Sequence, residues 1–228
     1  MSASPQTLIA KIFTPLLGLV FILICTALYY VFMIVPNERM MGAVQRIFYF
    51  HVSSAVTCYV AIVSMFVSGI IVIWKPAQRH WADALNEAAA EVALVFATIV
   101  LCTGMIWGNA AWNTPFQWEP RLVSFMILWM LLLGINLLRW FSANVGISSQ
   151  VAVLSILATL TIPLVIFSVN LLPQSSQLHP QVLANDGLKH PSFKSAFNIT
   201  LVALISLQAI LVLVRYRIAL LQRALKEI

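Results

Sequence analysis

The sequence predicts an all-α integral membrane protein with six transmembrane helices, cytoplasmic N- and C-termini and a Trp-rich loop on the outer side. Three observations predict it. Of 228 residues, 61% are hydrophobic and only 9% charged, where a soluble domain carries about 25% charged residues. The apolar residues gather into six runs, near or beyond the ~20 residues that a helix needs to cross the hydrocarbon core. Lysine and arginine fall mainly between the runs, with a bias to one side.

The first run, 12–35, stops at Pro36 and the polar triplet Asn37-Glu38-Arg39. It is longer than a signal-peptide core and has no A-x-A cleavage site, so it reads as a retained helix. The second, 47–73, holds no Asp, Glu, Lys or Arg and closes at Lys75-Pro76. The third is 84–107. The fourth, 121–141, opens at Glu119-Pro120, with proline at the first helical position, where its missing N–H costs nothing. The fifth, 150–172, closes at Pro173, and the sixth is 196–214. A basic tail, 215–228, follows. The chain reads as one six-helix membrane domain over 1–228, without internal repeats.

Basic residues collect on the cytoplasmic side of a membrane protein. With the N-terminus inside, the inner side holds Lys11, Lys75, Arg79, Arg139, Arg215, Arg217, Arg223 and Lys226. The outer side holds Arg39, Arg46, Arg121, Lys189 and Lys194, so eight of thirteen are inside. The net charge of +6 is therefore a membrane signature and implies no nucleic acid. In the tail, Ile218, Leu220, Leu221 and Leu225 offer a face to membrane lipid.

Several chemistries are absent from the sequence. Cys25, Cys58 and Cys102 each lie inside an apolar run. There is no C-x-x-C for a dithiol or a zinc knuckle, and no C-x-x-C-H for covalent haem attachment. No G-x-x-x-x-G-K-[ST] occurs, so an ATP-driven step needs another chain.

The expected topology brings three features to the outer face: the start of helix 2, the segment 107–121, and the loop 173–195. His51 stands early in helix 2, in R-I-F-Y-F-H-V-S-S-A from Arg46. It reads as a functional ionisable group or as a neutral histidine bonded within the bundle. His179, in L-P-Q-S-S-Q-L-H-P-Q, reads as a ligand or as a solvated loop residue, and His190, in K-H-P, is its rival. His80 fits an interfacial position. Segment 107–121, W-G-N-A-A-W-N-T-P-F-Q-W-E-P-R, packs Trp107, Trp112, Trp118, Glu119 and Arg121 into one short link between helices. It reads as an interfacial anchor or as a floor for a flat anionic ligand. Asp83, Glu87 and Glu91 recur along one helix face and are expected to answer Lys75 and Arg79.

Two histidines with an aromatic and arginine floor on one face suggest a haem site. Imidazoles take the iron from both sides, tryptophans flank the porphyrin, and Arg46 or Arg121 meets the propionates. The same residues resemble a known family, the cytochrome c assembly proteins that handle haem, in the manner of haem exporter protein C (CcmC-like). That family carries W-G-x-x-x-W-x-x-W-W-x-W-D-x-R-L-T. Here the stretch is W-G-N-A-A-W-N-T-P-F-Q-W-E-P-R-L-V, from Trp107 to Val123, a WWD-like motif. The family's first histidine matches Tyr49-Phe50-His51-Val52, and its second matches Leu178-His179. Pro115-Phe116 replaces the tryptophan pair, Glu119 the aspartate and Val123 the threonine, and Ser53 stands where proline is common.

The resemblance implies a haem-binding and transfer component rather than an enzyme, in the bacterial inner (cytoplasmic) membrane. It would hold haem b through His51 and His179 for a periplasmic haem chaperone or apocytochrome c. It implies as partners an ABC-type transporter ATPase with its membrane subunit and a small single-span membrane subunit. Two other classes stand beside it, a permease for another small solute and a structural docking subunit. A permease needs polar groups near mid-membrane, yet no Asp, Glu, Lys or Arg occurs from Trp140 to Asn185.

Overall fold

Apolar runs this long can satisfy their backbone in lipid only by forming helices. The computed structural model, which describes residues 5–142, 147–171 and 188–226, shows six of them. They are α1 (Pro5–Tyr29), α2 (Arg46–Trp74), α3 (Arg79–Trp112), α4 (Pro120–Phe141), α5 (Ile147–Phe167) and α6 (Pro191–Lys226). All six are long and apolar enough to cross a membrane. A π-helical turn, Tyr30–Ile34, finishes α1 and is closed by Val35 N donating to Tyr30 O at 2.9 Å.

Contacts between helix ends sort the bundle into two ends. At one, Arg46 Nη2 on α2 donates to Val35 O past the end of α1 at 3.5 Å. The Phe48 ring lies 6.0 Å from that of Phe197 on α6, and Arg121 Nη2 on α4 donates to Ile166 O on α5 at 3.3 Å. His51 on α2 meets Thr103 on α3 here as well. At the other end the Arg79 side chain bonds Ser149, and the Arg217 guanidinium sits 6.0 Å over Phe13.

Between the ends, Ile62, Met65, Phe96, Leu128, Leu132, Ile135 and Val151 form a buried core. Lipid tails are as apolar as leucine, so close packing and interhelical hydrogen bonds must hold such a bundle. Small residues allow the close approach: Ala89, Ala90, Ala93 and Ala97 of α3 are fully buried. A Cβ added at Gly69 would stand 3.1 Å from the Ala152 carbonyl oxygen of α5. Polar bonds add to this. Asn86 Nδ2 donates to Met65 O at 2.9 Å and Asn136 Nδ2 to Ala90 O at 3.1 Å. Ser155 Oγ donates to Asn86 Oδ1 at 3.2 Å.

Helix ends differ from the apolar runs where charge is involved. α3 begins at Arg79 instead of 84 and runs to Trp112 instead of 107, and α6 continues to Lys226 where a separate tail was expected after 214. For the start of α3 and the length of α6 the reason lies in the acidic stripe on α3. Asp83, Glu87 and Glu91 do not answer Lys75 and Arg79; they meet Arg139 of α4 and Arg215 and Arg223 of α6. Arg139 lies 2.9 Å from Asp83, and Arg223 lies 3.0 Å from Asp83 and 2.7 Å from Glu87. Arg215 grips Glu91. Arg79 stands one turn before Asp83 on the same helix, but its side chain turns to Ser149 of α5.

A candidate ligand site at the histidine end of the bundle

The start of α2 is set by a tight turn. The Glu38 carboxylate accepts the amides of Met40 and Met41 at 2.7 Å each. Those backbone bonds, Met41 foremost, hold its pKa below the ordinary carboxylate value. Gly42 follows with φ +57, a left-handed conformation that suits glycine, and its N–H closes the turn on Glu38 O at 2.9 Å. The chain then enters α2, which places Arg46 and, five residues on, His51.

His51 is half-buried. Its Nδ1 lies 3.0 Å from Thr103 Oγ1 of α3. A Cβ at Gly104 would come within 3.1 Å of His51 Cε1, so the missing side chain is what lets the ring lie against α3. Just beside this contact an apolar groove of about 430 Å³ opens between the end of α1, the start of α2 and the end of α3. Phe32, Ala43, Arg46, Ile47, Phe50 and Thr103 are among its walls. The Phe32 and Phe50 rings stack at 6.1 Å within it.

The tryptophans are not all in a loop. Because α3 runs to Trp112, Trp107 and Trp112 stand on its last turns, and only Trp118 lies in the connection 113–119. The two helical rings meet edge to face at 5.2 Å. Gly108 makes room for this, since a Cβ there would be 3.3 Å from the Trp112 ring. Asn113 ends the helix at φ +56, donating to Asn109 O at 3.1 Å. A second edge-to-face pair, Phe116 with Trp118 at 5.4 Å, follows. Trp118 is 80% exposed. Glu119 is buried at the entry to α4, and Arg121 lies in the first turn of that helix.

Among the described residues, seven buried side-chain polar atoms lack a hydrogen-bond partner. Four of them belong to this end: Arg46 Nε, Tyr49 OH, Ser53 Oγ and Trp107 Nε1. Buried donors are ordinarily satisfied, so four such atoms at one end set that end apart. His190 is engaged otherwise. Its Nδ1 receives the Ser192 amide at 3.3 Å and lies 2.6 Å from Ser192 Oγ, capping the start of α6 as a residue at that position should. His80 is exposed at the opposite end, and its carbonyl accepts from Arg223 at 2.9 Å. His179 lies outside the described residues. Thr103 and Gly104 escaped sequence reasoning. The only signal for them was their position one turn before Trp107, inside an apolar run.

Six spanning helices and a polar, aromatic site gathered at one end define a multi-pass membrane protein. The family model described as CcmC, Heme exporter protein C, matches residues 2–228, and the chain belongs to that family. Proteins named "Heme exporter protein C" are similar to it in several bacteria. That of Bradyrhizobium diazoefficiens is 31% identical over 59% of this chain and 51% of its own length. That of Paracoccus denitrificans is 36% identical over 43% and 40%. That of Haemophilus influenzae is 30% identical over 84% and 78%. The chain thus spans about half or less of the first two relatives and most of the third. With six spans and bacterial relatives, it is a multi-pass protein of the inner membrane.

Proposed function

We propose that this chain handles haem for cytochrome c maturation, holding haem b at the periplasmic end of the bundle through His51 and His179. It presents that haem to a periplasmic haem chaperone or to apocytochrome c. An ABC-type ATPase with its membrane subunit and a small single-span subunit are the partners the family suggests. The single observation that carries the reading is the gathering, at the end that holds His51, of Arg46, Tyr49, Ser53 and Trp107, each with a buried polar atom that lacks a protein partner.

The residues present fit the cargo. Haem supplies an iron that takes two neutral imidazoles and two carboxylates that seek arginine. Arg46 lines an apolar groove whose volume falls in the range of small-molecule sites, ~300–1,000 Å³. The chain's own work is then binding and orientation: a fixed imidazole, a guanidinium for carboxylates, and aromatic edges against a flat ring.

Purified protein is expected to show a six-coordinate, low-spin Soret spectrum, either as isolated or after addition of haemin. Protein that stays colourless and takes up no haemin would sink the reading. Orientation has its own test. The basic count places the opposite end in the cytoplasm, so a reporter fused after Ile228 is expected to be active only in the cytoplasmic form; periplasmic activity would put the histidine end on the wrong side. A third expectation concerns Trp118, whose exposed ring packs edge to face against Phe116. Trp118→Ala is expected to change stability by no more than ~0.5 kcal/mol while lowering cytochrome c maturation several-fold. Normal maturation at normal protein levels would reduce this residue to an interfacial anchor.

A further inference from the structure

We propose that Thr103 is a positioning residue for His51. Its hydroxyl holds the imidazole as the Nδ1–H tautomer and thereby leaves Nε2 as the nitrogen with a free lone pair for iron. This rests on the reading of His51 as a haem ligand, and it names the atom and the support that the reading leaves open.

The hydrogen-bond geometry fixes the proton. Thr103 Oγ1 lies 2.6 Å from the Ile99 carbonyl oxygen and 3.3 Å from that of Val100. A carbonyl oxygen has no proton to give, so at 2.6 Å the hydroxyl hydrogen stands between the two oxygens. A threonine has one such hydrogen. Toward His51 it can offer only lone pairs. Since Nδ1 lies 3.0 Å from Oγ1, the proton in that contact comes from the ring, for which the Val100 carbonyl of the same α3 turn is a second acceptor. Neutral imidazole carries one N–H, so Nε2 is bare. The opposite tautomer would set two lone pairs against each other at 3.0 Å unless Thr103 gave up Ile99.

A second constraint comes from the neighbouring residue. Gly104 brings the α3 backbone against the ring, and even a methyl there would stand 3.1 Å from Cε1. The hydroxyl thus fixes rotation of the imidazole, and the glycine surface fixes its depth. A ligating histidine that gives its other N–H to an oxygen is both oriented and made more basic. His190 has the reverse arrangement, with Nδ1 receiving an amide. On this end of the bundle, His51 is held as a donor through Nδ1 and His190 as an acceptor through Nδ1.

The test uses the full-length protein in detergent, loaded with haemin. Thr103→Val keeps the shape and removes the acceptor; Thr103→Ser keeps the hydroxyl. Thr103→Val is expected to lose haem to apomyoglobin roughly 10–100-fold faster than wild type, with a partly high-spin spectrum, and Thr103→Ser to stay near wild type. If both variants lose haem equally fast, packing of the intact side chain rather than the hydroxyl's acceptor role decides, and the proposal fails. If Thr103→Val matches wild type while His51→Ala loses the low-spin spectrum, the proposal fails and the ligand reading stands. If His51→Ala is itself unchanged, the ligand reading fails and takes the proposal with it. Should Thr103→Val not fold, ¹⁵N shifts of His51 in histidine-labelled apoprotein decide, with the resonance assigned by its loss in His51→Gln. A protonated Nδ1 beside a bare Nε2 supports the tautomer, and the reverse pattern overturns it.

Discussion

Replacing His51 with alanine is expected to convert the low-spin haem spectrum to a five-coordinate, high-spin one and to cut haem retention by at least tenfold. Metal affinity usually falls 10–100-fold when only a supporting partner is lost, and a direct ligand contributes more. The fold is expected to survive, because His51 is half-buried and its side chain bonds the Val100 backbone and the Thr103 hydroxyl, both on α3. That hydroxyl keeps its helix carbonyl partners when the imidazole leaves. Added imidazole is expected to restore part of the low-spin signal by filling the vacated position. His190→Ala is expected to leave the spectrum almost unchanged and to cost about 1 kcal/mol of stability, the usual loss for a removed helix cap. His179→Ala is expected to behave like His51→Ala. A full low-spin spectrum in His179→Ala together with its loss in His190→Ala would reassign the second ligand. Unchanged spectra in all three variants would end the haem reading.

The fold class was legible because lipid leaves the backbone few choices. Runs such as 47–73, with no formal charge, have nowhere to go but into spanning helices, and six of them appear. What hydropathy could not show is where a helix continues once it leaves the apolar run. Residues 79–83 and 215–226 are too polar to register as membrane spans, yet they are helical because Asp83, Glu87 and Glu91 find arginines on neighbouring helices. Those partners are 56 to 140 positions away along the chain. A stripe of acids at spacing four reveals a face and does not reveal what faces it. Helix α3 likewise runs past Trp107 to Trp112, so a motif that reads as a loop in sequence is half helix in space.

The site was legible in part for the same reason. His51, Arg46 and the tryptophans announce themselves by residue type, being costly or unusual in an apolar run. Thr103 and Gly104 do not, since threonine and glycine are ordinary in membrane helices and most of their polar atoms bond within their own turn. Only the crossing of α2 and α3 shows that the hydroxyl and the missing side chain belong to the histidine.

Arg139→Ala is expected to be the most damaging single change at the end of the bundle away from His51. The Arg139 guanidinium donates to Asp83 Oδ1 and to Asn86 Oδ1, both at 2.9 Å. The two charged side chains are only 8% and 14% exposed. Removing one member of a buried pair costs ~3–5 kcal/mol, because the remaining charge is stranded. Here the low end of that range applies, about 3 kcal/mol, since Arg223 still lies 3.0 Å from Asp83 and Ser155 still bonds Asn86. Arg223→Ala is expected to cost less, about 1 kcal/mol, since its side chain is 22% exposed and more exposed pairs contribute little. Asp83→Leu combined with Arg139→Leu is expected to recover much of the loss, as apolar replacement of both partners commonly does. Thermal unfolding in detergent, followed by helical circular dichroism, ranks the four proteins. The haem spectrum of whatever folds should stay that of wild type, because the ligand end shares none of these bonds. Equal unfolding temperatures for Arg139→Ala and Arg223→Ala would show that burial does not set the strength of this network.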